Sequence, residues 1–197
     1  LALALGLYLV WIGGLPILLI GVASLVCAVA YTGGPYPLAY HGLGDAFVFL
    51  FFGLVAVGGT YWVQALAYSS EVFLAGSGMG AMATAILVVN NLRDIRTDER
   101  VGKRTLAVRI GLSATKAEYA LLVLFSLAVP VLGITEFRWG TWTLLTLLAA
   151  IPLAKPALAI WAFSADSDPR RLIPPLGGTA LAAGLYGLFL GLTLALT

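Results

Sequence analysis

The stretch EVFLAGSGMGAMATAILVVN at residues 71–90 runs directly into NLRDIRTDERVGKRT at residues 91–105, so a long apolar segment ends in a dense island of charge. About 20 apolar residues in a helix are enough to cross the hydrocarbon core of a bilayer. The segment therefore reads as a membrane span, with Glu71 at its start and small residues such as Gly76, Gly78, Gly80 and Ala81 for close helix packing. If the helix continues into the island, Asn90, Asp94 and Asp98 recur every four residues and stack along one face. Arg93, Arg96 and Arg100 fall on a neighbouring face, and Lys103 and Arg104 follow Gly102. Metal-binding oxygens and anion-binding cations lie side by side.

The rest of the chain has the same apolar character. Hydrophobic residues make up 61% and charged residues 10%, and the mean hydropathy is +1.01, far from the roughly 25% charge of soluble domains. No segment shows the alternation of a transmembrane barrel strand, so the expected class is an all-α, polytopic bundle embedded in membrane lipid. Nucleic acid is not an expected partner. Cys27, the single cysteine, permits no internal disulfide, and His41, the single histidine, argues against a zinc enzyme. Any metal should be a hard ion held by oxygen.

Six full spans and one partial one are expected. Residues 1–11 are apolar but short and are broken by Gly13, Gly14 and Pro16. Residues 15–31 form the first full span, followed by a loop, Tyr31 to Gly44, too rich in Gly and Pro to stay helical. Asp45 is positioned to cap a second span at 46–64, and the third ends at about Asn90. Thr115 and Glu118 have the spacing of a capping box and predict a fourth span reaching about Gly133. Trp139 and Trp142 suit a membrane interface, a fifth span at 139–163 carries Lys155 between Pro152 and Pro156, and a sixth occupies 173–196. An intramembrane cation such as Lys155 is either functional or snorkels to the edge.

Lys and Arg are unevenly shared between the two sides. Arg93, Arg96, Arg100, Lys103, Arg104, Arg109, Lys116, Arg170 and Arg171 fall in loops on one side, and the opposite loops hold only Arg138. The positive-inside rule places the island in the cytoplasm, and the Tyr31–Gly44 loop falls on that same side. Three loops thus converge on one membrane face.

Mg²⁺ prefers octahedral oxygen coordination and is commonly held by one or two carboxylates together with substrate phosphates. Asp94 and Asp98 fit that role, and Lys103, Arg104 and Arg93 can balance the remaining charge of a diphosphate. There is no phosphate-binding glycine loop of the G-x-x-x-x-G-K-[ST] type, and no serine or cysteine nucleophile with a partnered histidine. Ionising a lipid diphosphate needs neither.

The run Asn90-Asn91-Leu92-Arg93-Asp94-Ile95-Arg96-Thr97-Asp98, with the following Gly102-Lys103-Arg104-Thr105-Leu106, resembles the second aspartate-rich motif of the UbiA superfamily of intramembrane prenyltransferases. Together with Tyr31-Thr32-Gly33-Gly34-Pro35-Tyr36-Pro37-Leu38-Ala39-Tyr40, it is most similar to the branch that prenylates 1,4-dihydroxy-2-naphthoate in menaquinone synthesis. The resemblance implies a bundle of nine membrane helices in which Mg²⁺ holds a polyprenyl diphosphate between two aspartate-rich motifs. It also implies that Asn90, Asp94 and Asp98 bind metal and that Lys103, Arg104 and Arg93 meet the diphosphate. The donor's allylic carbon would be attacked by an aromatic acceptor, with loss of diphosphate and carbon dioxide. Tyr31, Tyr40 and His41 are the candidates for bordering that acceptor.

Two expectations follow from what the sequence departs from. Asp45, Asp166 and Asp168 stand in no second N-x-x-x-D-x-x-x-D frame, and the chain begins at Leu1 without Met. Residues 1–197 are therefore expected to be a single prenyltransferase domain lacking its N-terminal helices and first motif, with little activity alone, in a bacterial inner membrane. The alternatives are transfer to another aromatic acceptor of the homogentisate or hydroxybenzoate type, or a non-catalytic transporter or lipid-binding protein, which would need more charge deep in its spans.

Overall fold

The computed structural model describes residues 1–196, and among them the regular structure is entirely helical. Six helices are long and apolar enough to cross a membrane: α1 (Ala2–Thr32), α2 (Gly44–Ala65), α3 (Ser70–Arg100), α4 (Leu106–Phe137), α5 (Thr141–Ala162) and α6 (Pro169–Leu194). The break expected at Gly13, Gly14 and Pro16 is present: α1 is two helical limbs joined at Gly14, where φ is 67° and ψ is −152°, and the short first segment is its first limb. Pro16, two residues on, lacks the N–H that a straight helix would use there.

α3 is the hub of the bundle. Its buried face carries Ala75, Met82, Ala85, Val88, Val89 and Leu92, which meet α4, α5 and α6 in two apolar clusters. The first is built around Val129, Leu153, Tyr186 and Leu190, the second around Tyr119, Ile160, Phe163 and Leu172. Helices in lipid gain little from the hydrophobic effect, so small residues and hydrogen bonds between helices matter more than in water. Ser126 on α4 donates to the Gly78 carbonyl oxygen at 3.1 Å. Tyr119 and Thr179 share a hydrogen bond of 3.0 Å between α4 and α6.

Several local expectations are corrected. α4 starts ten residues before the Thr115 and Glu118 pair: Thr105 is its N-cap and its hydroxyl accepts the Val108 N–H. Thr115 instead donates to the Gly111 carbonyl, next to a break at Gly111 with φ of 78° and ψ of 173°. That backbone region is open essentially to glycine alone. Trp139 is buried within the protein: its ring lies against Gly133, and its indole N–H donates to Glu71 Oε2 at 3.3 Å. Asp45 sits inside the first turn of α2 and makes no side-chain cap, since Leu43 is the capping residue. Lys155 lies on the exposed outside of α5, away from the bundle interior.

α2 is irregular at mid-span, with a π-helical segment at Phe49–Val55 that brings Gly53 against α3. α1 packs more loosely: its firmest link is the Trp62 indole N–H donating to the Gly13 carbonyl oxygen at 2.8 Å.

Candidate active site

Continuation of α3 to Arg100 puts Asn90, Asp94 and Asp98 on one helical face at the end of the bundle. Three connections meet there. The Arg104 N–H donates to the Tyr40 carbonyl oxygen at 3.0 Å, tying the α3–α4 connection to the α1–α2 loop. Arg109 Nε donates to the Arg104 carbonyl at 3.1 Å and packs beside Gly42. Arg96 approaches Asp166 in the α5–α6 turn at 3.8 Å. That last pair is exposed and screened by water, so Asp166→Ala should leave the thermal unfolding midpoint of the detergent-solubilised protein unchanged.

Within this end, the acids are already matched with cations. Arg93 forks onto Asp94, with Nε donating to Oδ1 and Nη2 to Oδ2, both at 2.7 Å. The same Nη2 donates to Asn90 Oδ1 at 2.8 Å. Lys103 Nζ lies 3.1 Å from Asp98 Oδ2, and its backbone N–H donates to the Asp98 carbonyl at 2.9 Å. Asp98 is only 8% exposed. Oxygen donors of the type Mg²⁺ prefers therefore stand in a row, with Arg93 and Lys103 balancing the charge a divalent ion would otherwise balance.

A cavity of about 510 Å³ opens beside this row, lined by Asn90, Asn91, Asp98 and Lys103 on one side and Tyr31, Tyr40 and Asp45 on the other. A second cavity of about 500 Å³ adjoins it between α1 and α2. That one is apolar, walled by Cys27, Ala28, Phe47, Val48, Phe51 and Phe52, and Tyr31 borders both. Volumes of this size suit small-molecule ligands.

Of the residues singled out from the sequence, Tyr31, Tyr40, Asn90, Asp98 and Lys103 line the polar cavity. Asp94 and Arg93 stand behind them in their own ion pair, and Arg104 is exposed at the connection. His41 is turned away: its Nδ1 donates to the Pro37 carbonyl at 2.8 Å and its ring stacks on Tyr36 at 3.5 Å between centroids. Asp45 and Asn91 also line the cavity without being site candidates from the sequence: Asp45 has the position of a helix cap, and Asn91 lies within the motif run but outside the row of Asn90, Asp94 and Asp98. An acid at the mouth of an apolar span, directly after a loop rich in Tyr and Gly, was the available signal for the first.

Comparison with known proteins identifies the family of the chain. The model of the UbiA prenyltransferase family matches residues 1–176. The 1,4-dihydroxy-2-naphthoate octaprenyltransferase of Haemophilus influenzae is 36% identical over 179 residues, covering 87% of this chain and 57% of that protein. The protein of the same name from Escherichia coli is 37% identical over 171 residues, covering 87% and 54%. That from Mycobacterium tuberculosis is 38% identical over 184 residues, covering 93% and 61%. The chain thus spans a little over half the length of these relatives. No solved structure matches it. With the family model matching nearly nine-tenths of its length, and with six apolar helices carrying an aspartate row at one end, this chain belongs to the UbiA prenyltransferase family of integral membrane enzymes.

Proposed function

We propose that the complete gene product transfers a polyprenyl group from a polyprenyl diphosphate to 1,4-dihydroxy-2-naphthoate in menaquinone biosynthesis, with loss of diphosphate and carbon dioxide. The observation that carries this reading is the pairing of a charged cavity with an apolar one across Tyr31. An isoprenyl diphosphate has the same two parts, a polyanionic head and a hydrocarbon tail. The names of the relatives supply the acceptor class.

Asn90, Asp94 and Asp98 would hold Mg²⁺, and their hard oxygen donors fit that ion. Bound there, Mg²⁺ would neutralise the diphosphate and make it a better leaving group. The chain's own cations act alongside. Lys103, at the cavity wall, offers a point charge to a diphosphate oxygen. Arg93 offers a planar fork once Asp94 turns to metal, and Arg104 extends the positive field at the mouth. Tyr31 and Tyr40 present aromatic faces that favour developing positive charge on the allylic carbon and keep water from it. The nine-to-one bias of Lys and Arg favours a site opening to the cytoplasm, across a bacterial inner membrane.

Membranes containing the complete gene product, supplied with labelled polyprenyl diphosphate and dihydroxynaphthoate, should form a labelled prenyl naphthol and release diphosphate. Chelation with EDTA should abolish turnover, and added Mg²⁺ should restore it. Product with hydroxybenzoate or homogentisate but not with dihydroxynaphthoate would move the acceptor assignment. No product with any hydroxylated ring would refute the transferase reading altogether.

A further inference from the structure

Asp45 is only 6% exposed, lines the polar cavity, and has no hydrogen-bond partner for Oδ2 among the described residues. Leaving a buried carboxylate oxygen unmatched is costly, so such a group in a native site calls for a ligand that supplies a donor. No Lys, Arg or His approaches it within ion-pair distance among the described residues. Resting on the functional reading above, we propose that Asp45 receives the ring hydroxyl of the aromatic acceptor and holds its proton while the ring is prenylated.

Depth separates this acid from the aspartate row. The Asp45 backbone meets α3 at Thr84, whose hydroxyl lies 3.4 Å from the Asp45 carbonyl oxygen. Asp94 and Asp98 lie ten and fourteen residues further along the same helix, about 15 and 21 Å of rise. The cavity therefore runs from a charged mouth at Asp98 and Lys103 to an inner end at Asp45. Tyr31 and Leu87 lie beside Gly44, the residue before Asp45, and give that end walls that suit a flat ring better than a hydrated cation. A neutral ring hydroxyl can donate to Asp45 there, whereas the diphosphate, which has no proton to give, suits the charged mouth at Lys103.

The electron flow balances within the site. The hydroxyl O–H bond breaks and its proton passes to Asp45, while the oxygen's electrons push into the ring. The ring carbon that carries the carboxylate forms the new C–C bond to the allylic carbon. The allylic C–O bond breaks, and its pair leaves with diphosphate. Carbon dioxide then departs, its bonding pair restores the aromatic ring, and the ring oxygen takes the proton back from Asp45. No external base or oxidant is consumed.

The test uses the complete gene product in membranes, with 1,4-dihydroxy-2-naphthoate and its 1-methoxy analogue as acceptors. Asp45→Asn keeps the shape of the side chain and removes its basicity. It should lower kcat/KM for the dihydroxy acceptor by about 10²-fold, with the KM for polyprenyl diphosphate within about twofold of the parent, a margin far smaller than the catalytic loss. In Asp45→Ala, the preference for hydroxyl over methoxy should fall at least about tenfold, because no partner is left to reward the hydroxyl. An unchanged preference overturns the proposal. So does a higher Mg²⁺ requirement with the acceptor KM unchanged, or loss of labelled-donor retention in Asp45→Asn, since the acid would then serve metal, donor site or fold. If the parent enzyme uses a different hydroxylated ring, the same hydroxyl-to-methoxy comparison on that ring decides the matter. Failure of the parent with every acceptor removes the functional reading, and this proposal with it.

Discussion

Asp98→Ala in the complete gene product is expected to lower prenyl transfer by about 10³-fold, close to 4 kcal/mol of transition-state stabilisation. Asp98 is nearly buried, lines the polar cavity and holds Lys103 at 3.1 Å. Alanine removes the proposed metal ligand and also frees the ammonium it positions, so charge balance and geometry fail together. Asp94→Ala should have an effect of similar size through a different partner, because both Asp94 oxygens accept from Arg93. Single-turnover measurement with labelled polyprenyl diphosphate is the appropriate readout, since it isolates the chemical step from product release. Asp98→Asn keeps the shape and should recover a small part of the rate at high Mg²⁺ concentration. Near-parental rates in both alanine variants would sink the metal assignment.

The largest structural effect is expected at Gly53. A Cβ built there would lie 2.5 Å from the Gly76 carbonyl oxygen and 2.5 Å from the Gly80 Cα, both of them backbone atoms of α3. Backbone cannot rotate away as a side chain can, so α2 and α3 would have to separate. Gly53→Val should therefore cost about 3 kcal/mol or more, and thermal unfolding in detergent would show it. Gly58→Val and Gly59→Val on the same helix are the controls. A Cβ at either position meets nothing within 4 Å. Equal stability of all three variants would show that the two helices do not pack as described.

What was legible in the sequence follows from how local each signal is. The aspartate row could be read because four-residue spacing within one helix makes neighbours without reference to any other element. The convergence of three loops on one face was legible from charge bias, since lipid imposes sidedness on the whole chain. The status of single aromatic and acidic residues was not. Nothing local to Trp139 records that Gly133 leaves a gap for its ring or that Glu71, 68 positions earlier in the chain, takes its N–H. Asp45 has the position of a helix cap, but α2 begins one residue before it and leaves its carboxylate facing the cavity. His41 carries an aromatic face like those of Tyr31 and Tyr40, but a tight turn directs it to Pro37 instead.

The sequence by itself determined that this protein lies in a membrane as helices, which end carries charge, and that the aspartate row forms. Hydrocarbon permits unpaired backbone polar groups almost nowhere, so composition and span length leave few other outcomes. Only the tertiary structure decided that an apolar cavity adjoins the charged one at Tyr31, and that Asp45 lines the charged one. The first depends on how α1 lies beside α2, and the second on how closely α2 approaches α3. That distance is set by glycine contacts between segments far apart in the chain, and no local spacing records it.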